Sequence, residues 1–231
     1  MRAVSAAKQE VRKIRDRRRL HPYTALLFSE LALILLYPFL TQIGYHDELF
    51  RLLALIVFST SLYAVMGRGR ITTIAFVLGF PAIVVRLIRL FTHVPVFKMP
   101  DEFLGLAFLI FVTSALVWAI LSNPSVTSDT LAGAVSAYLL IGITFGVAYM
   151  IINTLVPGSF RDTVEQGKRF TPADFTFFSF VTLTTVGYGD IVPWASHARS
   201  LAIIESVIGI MYPALLISRL VGMRNSKREE S

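Results

Sequence analysis

Six long apolar runs, separated by short polar breaks, organise the chain: Tyr23 to Leu40, Leu49 to Met66, Ile71 to Phe91, Phe103 to Leu121, Leu131 to Val156 and Ser200 to Val221. A helix rises about 1.5 Å per residue, so about 20 residues cross a hydrocarbon core roughly 30 Å thick. Each run can span with little tilt or slight help from its flanks. A seventh run, Phe175 to Leu183, is too short to cross, and it ends at "TTVGYGD", Thr184 to Asp190, which is too polar and glycine-rich to cross as a helix. The pattern predicts an all-α membrane protein: six transmembrane helices, with a short re-entrant helix and loop between the fifth and sixth.

Composition agrees, with 55% hydrophobic and 16% charged residues and a mean hydropathy of +0.65. The chain has no cysteine, which excludes disulfides and thiolate metal sites. His21, His46, His93 and His197 are scattered without ligand spacing, so no metal site is expected. No set of residues suggests an enzyme, and no cofactor is implied. The net charge of +7 comes from Lys and Arg at the ends of apolar runs, where they meet anionic headgroups; nucleic acid is not an expected partner.

The same basic residues orient the chain, because Lys and Arg in short loops stay on the cytoplasmic side. Arg2, Lys8, Arg12, Lys13, Arg15, Arg17, Arg18 and Arg19 precede the first run, Arg68 and Arg70 the third, and Arg219, Arg224, Lys227 and Arg228 lie at the end. Both termini are therefore expected in the cytoplasm of a multi-pass protein, in a plasma (inner) membrane of bacterial type. A signal peptide is disfavoured, since the first apolar run is long and no small-x-small cleavage site follows it. In the basic segment 1–20, Val4, Ala7, Val11 and Ile14 fall at helical spacing. Either an amphipathic helix on anionic inner-leaflet lipids or an unstructured topology-setting tail fits that pattern.

In the loop after the fifth run, "FTPADFTFFSF" begins with Thr171 as N-cap, Pro172 at the first helical position and Asp174 at the third, a capping-box pattern. A short helix over 172–183 would aim its partly negative C-terminal end at the bilayer interior and favour a cation there. Irregular backbone at membrane depth is tolerated only when buried in protein or facing a water-filled path. Inward-facing carbonyls of Thr185, Val186, Gly187 and Tyr188, with the Thr185 hydroxyl, would offer oxygens to a dehydrated cation. Glycine at alternate positions permits the backbone angles that such stacking needs.

Thr185-Val186-Gly187-Tyr188-Gly189 resembles the selectivity filter of the potassium channel family. The resemblance covers Leu131 to Val221 and implies an outer helix, a pore helix 172–183, a filter 184–189 from Thr184 to Gly189, and an inner helix, within a pore domain 131–222. It also implies K+ as permeant ion, held at Thr185, Val186, Gly187 and Tyr188, and a homotetramer, since one loop supplies one wall of the ring. Relatives with an acidic residue at the place of Tyr188 tend to be less selective. Phe177 and Phe178 stand where relatives often have bracing tryptophans, and Val181 where some carry a glutamate paired with the aspartate after the filter, so Asp190 lacks both usual partners. Ordinary apolar packing is the preferred reading of the phenylalanines.

In the last run Gly209 falls where the family commonly bends its inner helix, and Pro213, one turn on, makes a bend more favourable. Leu216 and Leu220 are candidates for a constriction. Glu205, ionisable within a span, is a gating candidate; it either faces the cavity or makes a structural hydrogen bond behind the filter.

The region 21–122 resembles the sensor domain of voltage-gated relatives in having four spans, but its fourth span, "FLGLAFLIFVTSALVWAIL", carries no charge to move through the field. Arg86 and Arg89 share a face of the third span, with Asp47, Glu48, Asp101 and Glu102 as possible partners; static pairing or snorkelling is preferred over gating. Glu30 in the first span is either a buried polar contact or part of a ligand site. The linker "SNPSVTSD", broken by Pro124, is too short for the force-transmitting helix of voltage-gated relatives, and only nine residues, 223–231 as a cytoplasmic tail, follow Gly222. The expectation is a potassium-selective channel that is not voltage-gated. A less selective cation channel, a channel-like subunit of a coupled potassium transporter, and a receptor-like use of the first four spans remain the alternatives.

Overall fold

The computed structural model describes residues 21–41, 46–67, 69–92, 96, 98–122, 127–165 and 167–229. Each long apolar run forms a helix: α1 (Pro22–Thr41), α2 (His46–Val65), α3 (Arg70–Thr92), α4 (Lys98–Ser122), α5 (Ser128–Leu155) and, after the loop, α7 (Ser196–Glu229). The short helix α6 (Pro172–Leu183) lies between α5 and α7. Among the described residues, four helices are long and apolar enough to cross a membrane: α3, α4, α5 and α7. The apolar stretches Pro22–Leu36 and Leu49–Val65 of α1 and α2 are shorter. The basic segment 1–20, Arg68 and the linker around Pro124 lie outside the described residues, as do the side chains of Asp47, Glu48 and Leu220.

Helix ends depart from the apolar runs where polar residues cap or extend them. Helix α5 begins at Ser128 because Thr127 is its N-cap, with its side chain accepting from the Thr130 N–H at 3.1 Å. Asp129 in that first turn also accepts from the backbone N–H and the hydroxyl of Thr24, tying α1 to α5. Helix α4 starts at Lys98, with Asp101 in its first turn, and α7 starts at Ser196 and continues through Gly209 and Pro213 into the predicted tail.

Successive helices pack on one another from α1 to α7, and α1 returns to pack on α5, so the four-helix unit meets the pore unit along the outer helix. Leu26, Val57, Phe108, Leu116 and Leu140 are fully buried in this shared core. A second, aromatic core lies around the pore helix, where Tyr149 meets Phe178 edge-on at 4.9 Å and Phe160 meets Phe175 at 5.3 Å. Helices in lipid gain no hydrophobic drive from pairing, so small residues that allow close packing carry the association. Gly146 illustrates this: a Cβ there would lie 3.2 Å from the Cα of Thr176, against the backbone of α6.

The all-α expectation misses one element. Strands β1 (Phe160–Asp162) and β2 (Ile191–Pro193) pair antiparallel, Arg161 opposite Val192, and join the two ends of the pore loop. The Arg161 guanidinium stacks 3.5 Å above the Trp194 ring, which secures the ribbon at its base.

Candidate functional site: the pore loop

The pore helix starts where its caps place it. The Thr171 side chain accepts from the Asp174 N–H, the Asp174 carboxylate accepts from the Thr171 N–H at 2.7 Å, and Pro172 opens the helix. Lys168 adds a 2.7 Å bond to the same carboxylate. The helix closes at Thr184, whose N–H reaches back to Phe180 and whose hydroxyl donates to the same carbonyl at 2.6 Å.

Beyond that cap the chain changes hand at every second residue. Thr185 has φ 59°, Gly187 φ 59° and Gly189 φ 80°, while Val186 and Tyr188 between them keep negative φ. Thr185 is the one non-glycine residue among those described with a positive φ, a conformation that is costly for a β-branched side chain. Alternating hands turn successive carbonyls toward the same side. The N–H groups point the other way, into the pore helix: Thr185 donates to Thr182 at 3.0 Å, and Val186 and Gly187 both donate to the Val181 carbonyl, at 3.0 and 3.3 Å.

As a result, the carbonyls of Thr184, Thr185, Val186, Gly187 and Tyr188 accept no hydrogen bond among the described residues, and the Thr185 hydroxyl has no partner there either. All six residues from Thr184 to Gly189 are exposed on the single chain. The Gly189 carbonyl, by contrast, accepts from the Thr163 hydroxyl at 2.8 Å, and the Asp190 carbonyl accepts from the Thr163 N–H at 2.8 Å. Free acceptors thus stop at Tyr188.

The braces also have definite places. Phe177 stacks parallel on Tyr188, with centroids 6.2 Å apart and planes 4° from parallel. Phe178 is buried in the aromatic core, and Val181 contributes the carbonyl that gathers the Val186 and Gly187 N–H groups. The Asp190 carboxylate accepts from its neighbour Ile191 N–H at 2.9 Å.

Glu205 is fully buried against the short helix α6. Its carboxylate accepts from the Tyr149 hydroxyl of α5 and the Ser179 hydroxyl of α6, so one side chain of α7 joins outer helix, pore helix and inner helix. Gly209, one turn further along α7, touches the last residue of α6: a Cβ on it would sit 1.9 Å from the Leu183 carbonyl oxygen. The Tyr138 hydroxyl donates to that same oxygen at 3.4 Å. Pro213 lies within the continuous α7, and Leu216 packs against the shared core.

Sequence reasoning did not find Thr163, Tyr138, Tyr149 or Ser179. Only the hydroxyls of a polar loop and of apolar helices mark them, and nothing in linear spacing aims those hydroxyls at Gly189, Leu183 or Glu205. In the four-helix unit, Arg86 and Arg89 both reach Asp101, with Arg86 Nε 3.0 Å from Oδ1, and the Arg86 guanidinium lies 4.1 Å over the Phe58 ring. Glu30 is fully buried on α1, and neither carboxylate oxygen has a hydrogen-bond partner among the described residues.

Residues 137–223 match the family described as ion channel. Among curated proteins, the chain is 37% identical over 87 residues to two-pore potassium channel 1 of Arabidopsis thaliana, covering 38% of this chain and 24% of that one. It is 38% identical over 85 residues to two pore potassium channel c of rice, Oryza sativa subsp. japonica, covering 37% and 17%. Protein LctB of Bacillus caldotenax is 27% identical over 129 residues, 53% of this chain and 96% of its own length. The chain thus spans about a quarter or less of the length of the plant relatives named. No solved structure matches.

Proposed function

We propose, from the match of residues 137–223 to the ion channel family and their likeness to two-pore potassium channels, that the protein is a potassium-selective channel built from four copies around a shared filter. The observation that carries this reading is the row of unpartnered carbonyls from Thr184 to Tyr188, aligned by the alternating hand of Thr185 and Gly187. Such acceptors are costly at membrane depth unless an ion or water takes them up. One chain supplies a single wall of that row, and its exposed Val186 and Tyr188 side chains leave room for further copies. Oxygens at Thr185, Val186, Gly187 and Tyr188 replace the hydration shell of K+, and the ion moves passively down its gradient.

The proposed assembly sits in a plasma membrane with six spans per subunit and both termini cytoplasmic. Its opening is not driven by voltage: α4 carries no basic residue beyond its first, Lys98, and Arg86 and Arg89 of α3 are engaged by Asp101. The test is single-channel recording of the purified protein in planar bilayers with K+ and Na+ on opposite sides. A reversal potential close to the K+ equilibrium value is expected. Equal passage of Na+ identifies the less selective cation channel, and transport without unitary currents identifies the coupled transporter.

A further inference from the structure

At the filter end of the bundle, the charged residues of the four-helix unit rim a cavity of about 300 Å3 that lies between α2, α3 and α4 on one side and α5 with the start of α6 on the other. Its polar lining includes residues near helix ends: Arg51 on α2, Arg86 and Arg89 on α3, Lys98, Asp101 and Glu102 on α4, and Asn153 on α5. The apolar lining, including Val57, Leu109 and Ile143, lies two to three turns deeper along the same helices. From Asn153 to Ile143 is about 15 Å of helix, so the cavity is a shaft with a charged mouth and an oily floor.

The mouth is not balanced. Asp101 takes up both Arg86 and Arg89, and Lys98 stands 3.9 Å from one oxygen of Glu102. Arg51 donates to the Arg89 carbonyl at 3.2 Å and meets no carboxylate among the described residues. Among the described residues, Arg51, Arg86, Arg89 and Lys98 face only Asp101 and Glu102, an excess of two positive charges. Beside that excess, two acceptors lack donors: the second oxygen of Glu102, on a side chain that is 4% exposed, and the carbonyl oxygen of the Asn153 side chain.

An occupant must therefore bring an anionic group for the arginines and N–H donors for Glu102 and Asn153, on a body that can enter the apolar shaft. A bare cation faces four basic side chains, and a phosphate alone leaves both acceptors unmet. We propose that this cavity binds an aminophospholipid, with the phosphate at Arg51 and Arg89, the ammonium at Glu102 and Asn153, and the upper part of one acyl chain over Val57 and Ile143. The volume equals about ten waters at roughly 30 Å3 each, enough for the head and a short chain segment, with the rest of the lipid in the bilayer. Because Thr171 and Pro172 line the same cavity, the lipid would tie the four-helix unit to the first turn of the pore helix. The proposal does not depend on which ion passes the pore.

The test uses the purified full-length chain, exchanged in detergent against equal amounts of phosphatidylethanolamine, phosphatidylcholine and phosphatidylglycerol of identical acyl chains, with retained lipid read by native mass spectrometry. Phosphatidylethanolamine is expected to be retained about tenfold over phosphatidylcholine, whose trimethylated head has no N–H to donate. Glu102→Gln should erase that preference; helicity and assembly are measured beside it, because the change also removes the charge that faces Lys98 at 3.9 Å. Arg51→Gln should weaken retention of all three lipids. Equal retention of the three, preference for phosphatidylglycerol, or a preference that survives Glu102→Gln overturns the proposal. So does displacement by glycerophosphoethanolamine at the concentration of the lipid, which would mean the shaft holds no acyl chain.

Discussion

Among the described glycines, Gly209 is the one at which packing leaves least room. With a Cβ it would collide with the Leu183 carbonyl at 1.9 Å, so the inner helix can approach the filter base only because this position has no side chain. Gly209→Ala should cost about 1–3 kcal/mol through overpacking and shift the carbonyl just before the filter. We expect a lower melting temperature in detergent and a reduced K+ over Na+ permeability ratio; unchanged values of both would show that the helices separate freely. From sequence Gly209 reads as a bend, because the linear pattern shows a missing side chain but not the carbonyl on another helix that needs the space. Glu205 is similar: its type and depth are legible, its partners are not. Glu205→Ala should leave the buried Tyr149 hydroxyl without an acceptor, at about 1–3 kcal/mol, whereas Glu205→Gln keeps an acceptor and should cost less. Thermal melts of the two variants separate these outcomes.

Among the elements, the pore helix is the most legible, because its start is written in a local code: Thr171, Pro172 and Asp174 cap it as their order predicts. The ribbon of β1 and β2 is illegible for the opposite reason, since three residues on each side show no period and the pairing joins segments on both sides of the filter. Between β1 and α6 the loop is organised by charge. The Asp162 carboxyl is held below its ordinary pKa, chiefly by the Glu165 N–H and further by the Val164 N–H and Lys168. Lys168 is held above its ordinary value, chiefly by its hydrogen bond to Asp174. A lowered carboxyl stabilises the fold above its usual value of about 3.9 and loses that contribution as pH falls through the lower folded value. A raised lysine contributes fully below about 10.4 and loses it as pH rises through the higher folded value. Amide protection at Val164 and Glu165, measured by hydrogen exchange corrected for intrinsic rate, should therefore stay level from about pH 5 to pH 9. A loss centred near neutrality would contradict this pairing scheme.

For the whole molecule, the apolar runs and the basic residues between them predicted the order of helices and their membrane character. The return of α1 onto α5 was not predictable, because it is made by side chains such as Thr24 and Asp129 that lie far apart in the chain. That return joins a four-helix unit to the pore, yet the unit holds its arginines in place. A single charge crossing the whole field would be worth about 4.6 kcal/mol over 200 mV, using about 2.3 kcal/mol per 100 mV. With Arg86 and Arg89 held by Asp101, open probability should vary less than about tenfold over that range, and Arg89→Gln should leave the variation unchanged; a voltage ramp on purified channels checks both. The carbonyls of Thr184 to Tyr188, unpartnered among the described residues, carry one more consequence. On the proposed reading, the permeating ion is also a ligand of the native state, and the assembly is stabilised in proportion to the logarithm of one plus the ratio of ion concentration to its dissociation constant. Replacing K+ by a larger organic cation should then lower the melting temperature of the assembly, so the protein's own durability would depend on the ion it conducts.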